Sequence, residues 1–324
     1  MKNVNLGVDI AKDWFDACIL IENSRYVKKF ANSAAGFARF RDWVHSFECD
    51  RYNLVFEPTG RYGEALVTFI LELPKIRVVR ADIRRFRRFA QSLQPDLKSD
   101  YSDAFALAMF AKERSANCPE HRLPSPIQLE LRDIQMCLRS LEKRSVAVQN
   151  QLKCGLRSDA VRHVLSAEAE RINAEYDEIF ALACSRIDAD LALREDKRLL
   201  LSIPGIGEKT AIILLSLIDF RKFPTSRSLA KFLGLTPRKW ESGSSIKARG
   251  SISKAGNKYV RNALLFPAMA AMQHNAVLRP FCERLTSAGK PGALVRTAVI
   301  RKLVTIAWSL IHNRRPFSEE FETA

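Results

Sequence analysis

Residues 3–10 of the chain read NVNLGVDI, and apolar side chains stand at every second position, separated by small or polar ones. This period-two alternation is typical of a strand that is buried on one face. Two more strand-like runs follow closely, WFDACILI at 14–21 and RYVKKF at 25–30. The chain is therefore predicted to begin with three consecutive strands.

Further along, helical and strand-like segments alternate. Strands followed by alternating helices and strands favour a mixed α/β sheet with helices on its faces. The segment at 101–114 is apolar almost all round, which indicates a buried helix. Strands are predicted at 53–57 and 76–80, and helices at about 34–48, 62–72, 82–93 and 101–114.

After a proline-rich break at 118–126 the pattern changes to long helices. Apolar residues step by four and three from Ile127 to Leu152, as in a heptad seam, and a second helix is predicted at about 160–198. Residues 127–200 carry twelve Lys and Arg against thirteen Asp and Glu. A nearly neutral helical pair fits a coiled-coil arm for dimerisation or spacing; the alternative is an intramolecular helical hairpin.

The charge of the chain is strongly positive and unevenly distributed. The net charge is +16 and the pI about 9.7, which favours a polyanionic partner. Residues 75–98 carry eight Lys and Arg against two Asp, and residues 238–261 carry seven against one Glu. Two separate basic segments indicate binding sites rather than a general solubility device.

Cysteine usage and hydropathy favour a cytoplasmic protein. The seven cysteines are dispersed without C-x-x-C spacing, which argues for a reducing compartment and against a disulfide frame or a zinc site. The N-terminus meets charged residues too early for a signal peptide. Apolar runs such as AIILLSLI at 211–218 are too short to span a bilayer.

Four carboxylates stand at strand ends or at the start of a helix, positions where active-site residues are often found. Asp9 lies on the polar side of the first strand and Glu57 ends a later one, whereas Asp100 and Asp103 open a helix and share one of its sides. Each has an ordinary alternative, either a helix-capping residue or a turn residue. Together they follow the order expected of acids that meet at one edge of a sheet.

Four neighbouring carboxylates would repel one another unless a cation neutralised them. Mg²⁺ prefers oxygen ligands and keeps coordination positions open for phosphate oxygens. One or two such ions would polarise a phosphodiester and stabilise the charge that develops on it. The four acids therefore predict a magnesium-dependent phosphoryl-transfer site.

The segments GVDIAK, FEPTG and KSDYSDA resemble the RuvC-like, RNase H-type domain of insertion-sequence transposases of the IS110 type. The resemblance implies an acidic tetrad made of Asp9, Glu57, Asp100 and Asp103. It also implies a recombinase guided by a noncoding bridge RNA whose loops pair with target and donor DNA. Pro58 stands where alanine is more usual in that family, and the carboxylate before it is kept.

The segment SIPGIGEKTA, at 202–211, is typical of a helix–hairpin–helix turn. Gly205 and Gly207 permit tight backbone geometry, so that free N–H groups of the next helix can face a phosphate, and Lys209 follows them. The alternative is an ordinary loop before a buried helix. The spacing is not that of a P-loop.

A Gly/Ser loop, WESGSSIKARG at 240–250, lies between the segments GLTP and SKAGN. This order resembles the C-terminal transposase domain of the same family, and the resemblance implies that Ser242 is the nucleophile. Ser244 and Ser245 would then be loop or phosphate-contacting residues. Cations that could activate the serine or bind nucleic acid are Arg238, Lys239, Lys247, Arg249 and Lys254.

The helix RRFRRFAQSLQ, at 84–94, interleaves arginines with Phe86 and Phe89. Aromatic and cationic side chains in alternation suit RNA or single-stranded nucleic acid. The alternative is that the phenylalanines are core residues below a solvated basic face. The predicted nucleic-acid contacts of this helix are Arg84, Arg85, Arg87 and Arg88.

We therefore expect an α/β RNase H-like (RuvC-like) domain at 1–118, a helical coiled-coil arm at 119–199 and a mostly α-helical C-terminal transposase domain at 200–324. The expected function is strand cutting and rejoining through a phosphoserine, in a cytoplasmic dimer or dimer of dimers that associates with the nucleoid when active. The main alternative is a junction-resolvase-like nuclease that uses the carboxylates with water as nucleophile. Another is a non-catalytic DNA- or RNA-binding regulator with a degenerate RNase H fold.

Overall fold

The computed structural model describes residues 3–22, 24–58, 60–93, 100–237, 241–242, 246–247 and 252–318, with the backbone alone for 100–102, 241–242 and 246–247. The chain divides into two compact units, Met1–Leu123 and Pro124–Ala324. None of the helices in these described ranges is long and apolar enough to cross a membrane. The predicted division of the second unit at residue 199 stays a prediction.

The first unit is built on a five-stranded sheet of order β3-β2-β1-β4-β5. The first three strands are antiparallel neighbours, and β4 and β5 run parallel to β1. All five predicted strands are confirmed. Their bounds are β1 (Asn3–Ile10), β2 (Trp14–Ile21), β3 (Ser24–Ala31), β4 (Arg51–Phe56) and β5 (Ile76–Arg80).

Helices cover both faces of this sheet, as the alternating pattern predicted. Val4, Leu6 and Val8 of β1 share one core with the first two helices, and Val55 of β4 shares another with the last two. The period-two alternation of the strands produces these two faces. The helices are α1 (Ala34–His45), α2 (Glu64–Leu71), α3 (Ile83–Leu93) and α4 (Asp100–Arg114).

Helix α4 approaches β1 very closely at Gly7. A β-carbon built at Gly7 would lie 2.1 Å from the carbonyl oxygen of Ala104 and 2.3 Å from the amide nitrogen of Ala108. Only a residue without a side chain allows α4 to lie this near to β1. The position of α4 on the sheet is therefore set by this contact.

The second unit begins with two long helices, α5 (Pro126–Lys153) and α6 (Asp159–Ala189). The predicted heptad seam is buried between them, where Leu141 and Val148 pack against Ile172. These helices form an intramolecular hairpin, which was the alternative to a dimerisation arm. The single helix predicted at 160–198 is wrong, because α6 ends at Ala189 and the carboxylate of Asp190 caps a new helix, α7 (Leu191–Leu201).

The remainder of the second unit is mostly helical, as predicted. The long last helix is buried along one side and shares a single core with the base of the α5–α6 pair. The helices are α8 (Glu208–Leu217), α9 (Ser226–Phe232), α10 (Lys258–Ala263), α11 (Leu265–His274), α12 (Arg279–Ser287) and α13 (Gly292–Asn313), and two short strands are β6 (Glu241–Ser242) and β7 (Ile246–Lys247).

Candidate active site

Asp9 and Glu57 lie at the same level on neighbouring strands. Val8 of β1 is opposite Phe56 of β4 in the parallel register, so the residues that follow, Asp9 and Glu57, are adjacent at the carboxyl edge. Asp9 has the same strand parity as Gly7, whose face α4 covers. Because successive side chains alternate between faces, both carboxylates belong to the α4 side of the sheet.

Asp103 comes to the same edge on α4. Its neighbour Ala104 is the residue that lies against Gly7, so the first turn of the helix sits beside the end of β1. Burial raises the pKa of the Glu57 carboxyl; the positive charge of Arg87 opposes this rise, and the negative charge of Asp103 adds to it. The charges of Glu57 and Asp103 are thus close enough to interact.

Asp100 is the first residue of α4, and its side chain lies outside the described atoms. Its assignment as a metal ligand stays a prediction. Among the side chains that the structure does describe, no group of three His, Cys, Asp or Glu residues is arranged to hold a metal ion. What is observed is a carboxylate edge formed by Asp9, Glu57 and Asp103, with the start of α4 beside it.

The basic helix α3 has two different faces. Phe86 is 2% exposed, and its ring and that of Phe89 pack edge-to-face on Phe110 at centroid distances of 6.3 and 5.4 Å. The interpretation that these aromatics stack on bases is therefore wrong, because the rings fill the core between α3 and α4. Exposed cations on the helix are Arg84, Arg85, Arg87 and Arg88.

The glycine turn joins α7 to α8. Gly205 has φ +106°, and a β-carbon there would lie 2.7 Å from the carbonyl oxygen of Pro267 in α11. Gly207 precedes α8 without a side-chain cap bond. The turn therefore has a packing role, which the alternative interpretation anticipated, and its phosphate contact stays a prediction.

Lys209, on the first turn of α8, is exposed but held by two side chains of the long helices. Its ammonium lies 2.8 Å from Glu142 and 4.8 Å from the ring centre of Tyr176. Burial alone would lower the pKa of Lys209, but its bonds to these two side chains raise it overall. The pair ties α8 to the long helices, so a phosphate would have to compete with Glu142.

The backbone of Ser242 lies in a short antiparallel hairpin. Glu241 is opposite Lys247, and Ser242 is opposite Ile246. The predicted residues Arg238, Lys239, Ser244, Ser245 and Arg249 lie outside the described residues, as do the side chains of Ser242 and Lys247. The structure therefore sets the backbone position of Ser242 and no contact of its hydroxyl.

The base of the serine hairpin is closed by two glycines. Gly256 passes so near α9 that a β-carbon there would lie 2.0 Å from the carbonyl oxygen of Phe232, and one at Gly234 would lie 2.6 Å from the amide nitrogen of Ala255. The guanidinium of Arg261 donates to the carbonyls of Leu233 and Gly256. The motifs GLTP and SKAGN thus form the stem of the hairpin, a role that sequence analysis missed.

Lys254 lies at the same stem. Its side chain is exposed, its φ is +51°, and its amide donates to the carbonyl of Gly234. A lysine in the left-handed region is uncommon and is held here by the stem hydrogen bonds. Its predicted contact with nucleic acid is compatible with this exposure and stays a prediction.

Comparison with known proteins gives family matches over most of the chain. The DEDD transposase domain of the IS110 type matches residues 6–158, and a model described as the transposase IS116/IS110/IS902 family matches residues 197–283. The first of these domains implies the RNase H-like fold in which the five-stranded sheet is arranged. It also indicates dependence on a divalent metal ion and DNA as the substrate.

Relatives extend this likeness to full length. The pilin gene-inverting proteins of Moraxella lacunata and Moraxella bovis are each 31% identical over 98% of this chain and 99% of their own. The transposase for insertion sequence element IS1111A of Coxiella burnetii is 26% identical over 85% of this chain and 79% of its own. With both family domains present in order, the chain belongs to the IS110 family of transposases, which are enzymes of DNA recombination.

Proposed function

We propose that this transposase cuts and rejoins DNA through a covalent link to Ser242, with Mg²⁺ held by Asp9, Glu57, Asp100 and Asp103. The observation that carries the proposal is the carboxylate edge. Asp9 and Glu57 end paired parallel strands on the face covered by α4, and the charge of Asp103 acts on Glu57. An acidic edge of this kind in a family of recombinases supports phosphoryl transfer.

The carboxylates suit a hard divalent cation. Every donor of the set is a carboxylate oxygen, the ligand that Mg²⁺ prefers. The raised pKa of Glu57 means that its negative charge is unfavourable beside Asp103 and in partial burial, and a bound cation would reverse this. When bound, Mg²⁺ would polarise the phosphate and offset the charge that develops on its oxygens.

Ser242 would attack the phosphorus of a DNA strand through its hydroxyl oxygen. The new bond is a phosphoserine ester, and the bond that breaks releases a sugar hydroxyl. Attack by another sugar hydroxyl reverses the step and frees the serine, so rejoining needs no nucleotide cofactor. Lys239, Lys247, Arg249 and Lys254 are close enough in sequence to lower the barrier by offsetting negative charge.

The acids and the serine belong to different units of the chain. The composite site could therefore form within one chain or between protomers of a dimer or dimer of dimers, with the hairpin of the two long helices as a spacer. Mixing Asp9→Asn protein with Ser242→Ala protein separates the two cases. Recovered strand exchange is the result expected of sharing between protomers, and no recovery would limit each site to one chain.

The exposed arginines of α3 and the strongly positive charge of the chain support a nucleic-acid partner beyond the cleaved DNA. We propose that this partner is a structured noncoding RNA, the bridge RNA, which selects target and donor DNA by base pairing. Recombination of cognate DNA should then require the RNA. Equal activity of purified protein without it would exclude this part of the proposal.

The full-length relatives are named for gene inversion, and the IS1111A relative is named for transposition. Both outcomes need the same chemistry, two cut strands that are joined to new partners. They differ in how the DNA sites are placed and oriented. We propose that this chain carries out the common strand exchange and that the arrangement of sites decides between insertion and inversion.

The decisive experiment is to trap a protein–DNA adduct and identify the attached residue. Ser242→Ala should abolish the adduct and strand exchange, whereas Ser244→Ala, a matched change in the same loop, should retain both. If Ser242→Ala protein still cleaves DNA in a metal-dependent way, water is the nucleophile and the nuclease alternative is correct. Strand exchange that survives Asp9→Asn and Glu57→Gln would refute the role of the carboxylates.

A further inference from the structure

A row of charged residues crosses the first unit beside the carboxylate edge. Asp9 of β1 is opposite Asp16 of β2, and Asp16 is opposite Lys29 of β3. Residues paired in this way point to the same face, so all three lie on the side of the sheet that α4 covers. Lys29 is therefore about 10 Å, two strand spacings, from Asp9.

The end of this row is held by two contacts. The ammonium of Lys29 lies 3.7 Å from Oδ2 of Asp16 and 4.9 Å from the centre of the Trp14 ring. Asp16 is 2% exposed, so the carboxylate that orients Lys29 is fixed in the sheet. The side chain of Lys29 is 42% exposed, and Trp14 is 42% exposed. Cation and ring are therefore both accessible and already oriented.

A lysine on an edge strand also has an ordinary role, which is to discourage pairing with other sheets. That role needs neither a buried carboxylate nor an exposed tryptophan. Lys28, the preceding residue, serves it equally well from the opposite face, where its ammonium lies over Phe30. The combination at Lys29 thus needs a further explanation.

We propose that Trp14 and Lys29 bind one nucleotide of a single DNA strand that leaves the carboxylate edge. Lys29 would contact the phosphate, and a base would stack on the open side of Trp14. An ammonium has three donors, so one can stay with Asp16 while others meet phosphate oxygens. Arg25, on the same face of β3 and over the ring of Phe105 at 5.0 Å, would extend the track.

This inference rests on the proposed function, because the DNA strand is placed there by cleavage at the carboxylates. We favour DNA over RNA because the row of residues that leads to this site begins at Asp9, where the proposed function places the cleaved DNA strand. The proposal nevertheless concerns binding and not chemistry. It can be tested in EDTA, where no strand is cut.

The test is the affinity of the full-length protein for a labelled single-stranded DNA, measured by fluorescence anisotropy at several salt concentrations. Each phosphate contact with a single strand contributes about 0.7 to the slope of log affinity against log salt. Lys29→Ala should lower the slope by about this amount, and Lys29→Arg should restore it. Lys28→Ala, the matched loss of charge on the opposite face, should leave the slope unchanged.

The stacking contact is tested by Trp14→Leu, which should weaken binding about fivefold to 150-fold. The matched control is Tyr26→Leu, which removes an aromatic ring that is 44% exposed on the other face of β3. Equal effects of the paired variants at 14 and 26, or at 29 and 28, would overturn the proposal. So would an effect seen only with single-stranded RNA of the same sequence.

Failure of this site and failure of the proposed function give different results. If the site is wrong, adduct formation at Ser242 persists while the paired variants bind alike. If the serine mechanism is wrong, no adduct forms, but the binding differences remain. Melting temperatures of the four variants and of Lys29→Arg show whether each protein is folded.

Discussion

The contact between Gly7 and α4 allows a direct test of how the carboxylate edge is held. We predict that Gly7→Ala displaces α4 from β1. The added β-carbon would lie 2.1 Å from the carbonyl oxygen of Ala104, 2.3 Å from the amide nitrogen of Ala108 and 2.7 Å from Cβ of Leu107. Carbon atoms in favourable contact are about 3.5 to 4.0 Å apart, so the helix must move outward by roughly 1 Å or more.

The stability change follows from the kind of atom that is met. Two of the three contacts are backbone atoms of a helix, which cannot swing away as the end of a side chain can. Overpacking of a core costs about 1–3 kcal/mol, and we expect the upper part of that range. For a unit that ends at Leu123, this lowers the melting temperature by about 8–12 °C.

The effect on activity should exceed the effect on stability. Asp103 lies on the displaced helix and Asp9 on the strand, so the two acids would move apart. A misplacement of about 1 Å can reduce a reaction about 100-fold. We therefore expect strand cleavage by folded Gly7→Ala protein to fall by about that factor.

The assays are thermal unfolding and single-turnover cleavage, measured at a temperature where the variant is folded. Gly292→Ala is the control, because the nearest atom to its added β-carbon is at 3.6 Å on a flexible arginine side chain. It should change neither quantity appreciably. If Gly7→Ala melts and cleaves like the parent protein, α4 is not seated on β1 as described and the reasoning fails.

Three other predictions concern stability and the serine hairpin. Because the pKa of Glu57 is raised in the folded protein, its ionisation favours unfolding. Glu57→Gln should therefore stabilise the metal-free protein at pH 7, and this gain should be lost near pH 4. Urea titrations at both pH values measure the difference in the free energy of unfolding. Gly256→Ala would place a β-carbon 2.0 Å from the Phe232 carbonyl oxygen and should reduce adduct formation, scored by gel shift of the protein–DNA band. Asp196→Ala removes a 2%-exposed carboxylate that lies 2.6 and 2.9 Å from two arginines. Calorimetry should record a loss of about 1–3 kcal/mol in the free energy of unfolding. The control Asp42→Ala, which breaks an exposed ion pair, should lose under about 1 kcal/mol.

The strands of the sheet could be predicted because each is specified by the pattern of its own residues. Alternation along 3–10 and 14–21 marks strands whose bounds the structure matches. That Asp9 and Glu57 share an edge also followed from their positions at the carboxyl ends of strands, since parallel strands end at one side of a sheet. Periodicity was sufficient for these elements.

Other features depend on contacts between distant parts of the chain. The spacing of Phe86 and Phe89 fits either core residues or a surface that stacks on bases. Their packing on Phe110, which lies on another helix, shows that they are core residues. The role of Gly7 likewise depends on where α4 packs on the sheet, which the local sequence does not specify. The break at Asp190 is different. An aspartate that caps a helix is a local signal, but the prediction of one helix over about 160–198 did not take it into account.

Both halves of the proposed active site are held by backbone geometry at glycines. Gly7 lets α4 bring Asp103 to the end of β1, and Gly256 lets the stem of the serine hairpin close against α9. The backbone thus places Glu57 near the like charge of Asp103. This charge and partial burial raise the pKa of the Glu57 carboxyl. If the proposed function is correct, a cation bound at the carboxylate edge would relieve the repulsion between Glu57 and Asp103. Substitutions at these glycines should therefore impair recombination although neither residue can touch the DNA with a side chain.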